Sequence, residues 1–81
     1  MPRGPRTKNI VGRRVLAARN RAEPPITQDA LSGKLARLGI QLDRTAIAKI
    51  ESANRRVLDY ELKGLAAALG VTVGWLIGEE R

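Results

Sequence analysis

Leu42-Asp43-Arg44-Thr45-Ala46-Ile47-Ala48-Lys49-Ile50-Glu51-Ser52-Ala53 is the stretch that decides how this chain is built. Wound at about 3.6 residues per turn, it separates into two faces. Ala46, Ile47, Ile50 and Ala53 share an apolar side that calls for burial. Arg44, Thr45, Ala48, Lys49 and Ser52 share the other side, which is small, polar and cationic and carries no acid. Asp43 stands at the N-cap position, where its carboxylate can accept the first free backbone N–H groups and complement the positive helix end. A helix of this kind suits the DNA major groove. Its long donors reach guanine O6 and N7, and its small residues let the backbone come close. The same pattern also fits an ordinary solvated face, so the rest of the chain must separate the two.

Composition narrows the choice. The 81 residues include no cysteine and no histidine. Disulfides, thiolate metal sites, the commonest general base and the commonest metal ligand are thereby removed. Ser32 and Ser52 have no activating partner readable from the sequence. The expectation is one domain that is not an enzyme and needs no metal and no cofactor. No apolar run approaches the roughly 20 residues of a membrane span, and no apolar signal core follows the basic N-terminus. A cytoplasmic protein without a membrane partner is therefore expected. Tyr60 and Trp75 are the only aromatic residues. They offer few platforms for unpaired bases, which weighs against single strands as the ligand.

The formal net charge of +7 is unevenly spread. Arg3, Arg6, Lys8, Arg13, Arg14, Arg19 and Arg21 all precede the first acid, Glu23, and from Ala22 onward bases and acids balance. Such an excess reads as an anchor for a polyanion. An acidic membrane surface could use the same charge, but the adjoining apolar stripe is too modest for a strong interfacial helix. Nucleic acid is favoured.

Outward from the opening stretch, the chain divides into five helical segments with no strand signal, which predicts an all-α globule. Residues 1–8, interrupted by Pro2, Gly4 and Pro5, read as a flexible basic arm. Residues 9–78 form the helical domain and 79–81 a short acidic tip. Asn9 can cap a first helix reaching Arg21 or Ala22, with Val11, Val15, Ala18 and Ala22 inward and Leu16 pointing away. Arg19 borders that stripe, and a partly buried arginine needs a carboxylate partner. Glu23-Pro24-Pro25-Ile26 breaks the chain. Thr27 then caps a second helix, with Asp29 in its first turn and Leu31, Leu35 and Leu38 inward, until Gly39 stops it. Beyond the opening stretch, Asn54-Arg55-Arg56 make a cationic loop. A fourth helix starts near Asp59, with Leu58, Leu62, Leu65 and Leu69 inward and Gly70 at its end. Thr72 caps a last turn from Val73 to Ile77.

Taken in series, Thr27-Gln28, Leu31, Leu35, Gly39-Ile40 and Arg44 to Glu51 form a helix-turn-helix pattern that resembles the Cro/repressor (XRE-type) DNA-binding family, with its lambda-repressor-like fold. Leu65-Ala66-Ala67-Ala68-Leu69-Gly70-Val71-Thr72-Val73-Gly74-Trp75-Leu76 is similar to the family's closing helices, so the likeness covers residues 9 to 78. Two departures stand out: the interval from Leu31 to Glu51 is longer than usual, and Ser32 takes a place where the family prefers alanine.

The resemblance implies a compact five-helix domain and a role for each matched position. Gln28, at the start of the second helix, would bind a backbone phosphate. Arg44, Thr45, Ala48 and Lys49 would face base edges, Arg44 toward a guanine and Ala48 or the Thr45 methyl toward a thymine methyl. Asn54, Arg55 and Arg56 would hold phosphates beyond them. Arg3, Arg6 and Lys8 of the arm would lie along phosphates or in the minor groove. Arg19 and Glu51 would form a buried ion pair between the first and third helices. The implied function is a sequence-specific double-stranded DNA-binding regulator, a repressor on a palindromic operator, bound as a homodimer. Trp75, Leu76 and Ile77 are the expected dimer surface, with core capping the competing role for Trp75. The setting would be the cytoplasm of a bacterium or a phage host, with the protein on the nucleoid when bound. The alternative is an antitoxin or accessory adaptor on the same fold, gripping a toxin or second regulator. An adaptor needs neither the acid-free helix face nor the basic arm.

Overall fold

Side-chain oxygens close the first turn of three helices in the computed structural model, which describes residues 7–80. The elements are α1 (Gly12–Arg21), α2 (Gln28–Arg37), α3 (Arg44–Glu51), α4 (Asp59–Leu69) and α5 (Val73–Leu76), with no strand among the described residues. Thr27 Oγ1 accepts from Ala30 N at 3.0 Å, Asp43 Oδ1 from Ala46 N at 2.8 Å, and Thr72 Oγ1 from Trp75 N at 2.9 Å. Each cap satisfies a donor the helix cannot, a gain of about 1 kcal/mol. α1 is closed from further back: Asn9 Oδ1 accepts from Val11 N at 3.0 Å and Gly12 N at 2.8 Å. In α4 the Glu61 carboxylate reaches back to Leu58 N at 2.9 Å.

The core is wholly aliphatic. Val15, Leu31, Leu35, Ile47, Ile50, Leu65 and Leu76 are fully buried, each contributing about 1.5–3 kcal/mol. α2 packs on α3 and α4, while α1 packs on α3, α4 and α5. Gly12 allows a close approach between α1 and α3. A Cβ there would run into the carbonyls of Ile50 and Glu51, so α1 meets the end of α3 backbone to backbone. That contact fixes where α3 stands relative to the N-terminal segment.

Four apolar expectations fail, each at a helix end, and one is Ala53, which is half-buried past the end of α3 at φ 63°. Leu38 is 51% exposed because it lies past Arg37, in the turn that leads to Gly39 at φ 81°; Ile40 and Leu42 fill the core instead. Leu58 is 49% exposed because its backbone is extended, so the periodicity of α4 does not reach it. Ala22 is half-buried, its backbone having already turned extended. Leu76 is fully buried and cannot reach a second copy, which removes the middle of the expected dimer surface. None of the described helices is long and apolar enough to cross a membrane.

Candidate nucleic-acid interface

Burial of Ile47 and Ile50 sets the rotation of α3, and everything on its far side follows. Arg44, Thr45, Ala48, Lys49 and Ser52 are all exposed. The Arg44 side chain is 70% exposed, and its guanidinium stands 3.8 Å from the carboxylate of Asp29 in the first turn of α2. Two such solvated groups interact by about 1 kcal/mol or less, so Asp29 restrains Arg44 without holding it.

The inner edge of α3 is tied down at Glu51. Arg19 Nε donates to Glu51 Oε2 at 2.7 Å and its Nη2 to Oε1 at 3.0 Å, with both side chains largely buried. Arg19 Nη1 donates to the Ile26 carbonyl at 3.0 Å, and Gln28 Nε2 to Glu51 Oε1 at 3.0 Å. One cluster thus joins α1, the loop before α2, the start of α2 and the end of α3. The hydrogen bond to Glu51 raises the Arg19 pKa, against the lowering effect of burial. This is the ion pair the resemblance implies. Gln28 sits beside Thr27, Asp29 and Arg44 around a shallow concavity, with part of its amide committed to Glu51.

Beyond the C-terminal end of α3, Lys8, Asn54, Arg55, Arg56 and Leu58 surround a second concavity. Its frame is rigid. Lys8 N donates to the Ala53 carbonyl at 2.9 Å, and Asn9 Nδ2 donates to the carbonyls of Ile50 at 3.1 Å and Arg55 at 2.8 Å. Arg55 points inward: its Nη1 and Nη2 donate to the buried carboxylate of Glu61 at 2.9 and 3.1 Å, and Nη1 also meets the Arg56 carbonyl. The bonds from Arg55 hold the Glu61 carboxyl below its ordinary range, opposed by desolvation and helped by the Leu58 N–H. The Arg55 pKa is raised by the same contact. Arg55 is therefore a brace for the loop, and Lys8, Asn54 and Arg56 are the exposed donors around the concavity.

Compared with known proteins, the chain matches no family model and no curated sequence.

Of the sequence-predicted residues, Arg44, Thr45, Ala48 and Lys49 share one open face, and Lys8 joins Asn54 and Arg56 beyond one end of it. Gln28 adjoins Arg44 at the other end. Arg3 and Arg6 lie outside the described residues. Sequence reasoning missed Glu61, which redirects Arg55, and the second role of Asn9. The signal for Glu61 was present: it occupies the third position of α4, where an acid reaches back to the residue before the helix. Chemically, the assembled surface is a row of small contacts and long donors, with a cationic concavity beyond its C-terminal end and a charge-balanced one at its start.

Proposed function

We propose that this chain binds double-stranded DNA by laying the outer face of α3 in the major groove, in the manner of Cro/repressor helix-turn-helix proteins with a lambda-repressor-like fold. The observation that carries the reading is the acid-free outer face of α3, with Arg44 and Lys49 exposed and exposed donors at Lys8, Asn54 and Arg56 near its C-terminal end. In this reading Arg44 and Lys49 donate to purine edges, while Thr45 and Ala48 admit the backbone and touch thymine methyls. Lys8, Asn54, Arg56 and the free part of the Gln28 amide set the register on the phosphates. The regulator would act as a repressor, two copies occupying half-sites about one helical turn apart.

Selection of bound sites from random duplex DNA with the purified protein tests this directly. The expected outcome is an enriched palindromic site with a narrow set of preferred bases under α3. Recovery of unbiased sequence, or no recovery at physiological salt, would remove the reading.

A further inference from the structure

Not all of the arginine excess at the front of the chain is near α3. Arg14 and Arg21 lie two helical turns apart on the face of α1 that meets α5, and both guanidiniums stand over the ring of Trp75, at 4.7 and 5.8 Å from its centroid. Arg14 also donates to the carbonyls of Trp75 at 2.9 Å and Glu80 at 3.2 Å. These contacts hold Arg14 against the ring, with Arg21 resting over it from the exposed side of α1. On one side of the ring, Ala18, Ala22, Leu69 and Val71 floor a groove. On the other, Ile10, Arg13, Arg14 and Ala17 line a second concavity that shares Arg21 and Trp75 with the first. Ile10 is 65% exposed there. None of Arg13, Arg14 and Arg21 makes an ion pair among the described residues. The nearby Glu80 carboxylate is engaged elsewhere, accepting from Thr72 Oγ1 at 2.8 Å.

Two adjoining apolar concavities bordered by three arginines without ion pairs specify their occupant. A second copy docked through this face would bring the same excess of cations to it, with Glu23 beside Arg21 as a single offsetting carboxylate. A phosphodiester backbone would satisfy the cations and leave the alkyl floor wet. The one aromatic ring is already covered by guanidiniums and gives bases no platform. Carboxylates together with apolar side chains satisfy both parts. We propose that this groove docks an acidic amphipathic segment of another protein. Its Asp or Glu side chains would meet Arg13, Arg14 and Arg21, and its aliphatic side chains would lie on the floor beside Trp75. The site is separate from the outer face of α3 and does not depend on the DNA reading.

Trp75 is the only tryptophan in the chain, so its emission reports on this groove. The probe is a synthetic helical peptide with leucines on one face and glutamates on the other. Its titration into the full chain should shift Trp75 emission saturably. Arg13→Glu combined with Arg21→Glu, both at exposed positions of α1, should weaken binding about tenfold with the far-UV circular dichroism unchanged. A peptide with serine in place of leucine should bind far more weakly. Equal binding of the serine peptide would reduce the groove to a charge effect and overturn the proposal. So would unchanged affinity in the charge-reversed variant. A short random duplex that gives the same Trp75 change at lower concentration than the peptide would reassign the surface to nucleic acid.

Discussion

Replacing Glu61 with Gln should destabilise the fold far more than a loop-adjacent acid ordinarily would. The carboxylate is 3% exposed and accepts three hydrogen bonds, two from Arg55 and one from Leu58 N. Glutamine keeps the shape and one acceptor, which can stay on Leu58 N. Its amide NH₂ then faces an Arg55 donor, and the charge that compensated the guanidinium is gone. Breaking a buried pair from one side costs about 3–5 kcal/mol. The Arg55 side chain is 31% exposed and can recover part of its hydration, so the loss expected at neutral pH is about 2–3 kcal/mol. The pH dependence follows from the direction of the shift. Arg55 holds the folded carboxyl below its ordinary value of 4.5, so at acid pH the unfolded chain binds the proton more readily than the folded one. The contribution is complete above 4.5 and disappears as the pH falls through the lower folded value. Urea unfolding followed by far-UV circular dichroism, with wild type and Glu61→Gln in parallel from neutral to acid pH, measures both effects. A loss below about 1 kcal/mol at neutral pH would overturn this expectation and put Arg55–Glu61 among ordinary surface pairs. So would a gap between the two proteins that stays constant into strong acid.

Asn9→Ala should cost about 2–4 kcal/mol in the same urea assay, because one side chain makes four hydrogen bonds that join α1 to the end of α3 and to the Arg55 loop. Asn9→Asp should not rescue it: a carboxylate keeps the caps but cannot donate to the two carbonyls. Ala53 sits at φ 63°, where a Cβ is strained, so Ala53→Gly should stabilise by about 0.5–1 kcal/mol after the added unfolded-state freedom of glycine. Its refutation would be a lowered urea midpoint. Arg44→Ala should cost about 1–3 kcal/mol on a selected DNA site and relax preference at one base position. Equal losses on selected and random duplexes, by fluorescence anisotropy, would count against base contact.

Much of the helical frame could be read before any coordinates, and the reason is locality. Thr27, Asp43 and Thr72 act on N–H groups three residues away, so a short window of sequence contains the whole interaction. The α3 stripe is equally local, and Ile47 and Ile50 are buried as their spacing predicts. Arg19 announced its need for a carboxylate by bordering a buried stripe, although the resemblance, not the spacing, pointed to Glu51. What escaped was either non-local or at a helix boundary. The amide of Asn9 bridges to carbonyls far along the chain, and no periodicity encodes that. Leu38 and Leu58 were counted into stripes that their backbones do not continue, since one has left its helix and the other has not entered it. Arg55 looked like one of two equivalent loop cations until Glu61 distinguished them. Trp75 was expected to face a second copy or cap the core. It packs half-buried against the core, and two arginines from α1 also stand over its ring, an arrangement that depends on how α1 and α5 cross.

The claim on which the functional account rests is that α3, and not another basic surface, receives the duplex. Backbone amide and side-chain resonances recorded during titration with a selected duplex measure this residue by residue. The largest shifts are expected at Arg44, Thr45, Ala48 and Lys49, with Lys8, Asn54 and Arg56 following, and little change at Arg13, Arg21 and Trp75. Shifts concentrated on the outer face of α1 and on Trp75, with α3 silent, would contradict the claim.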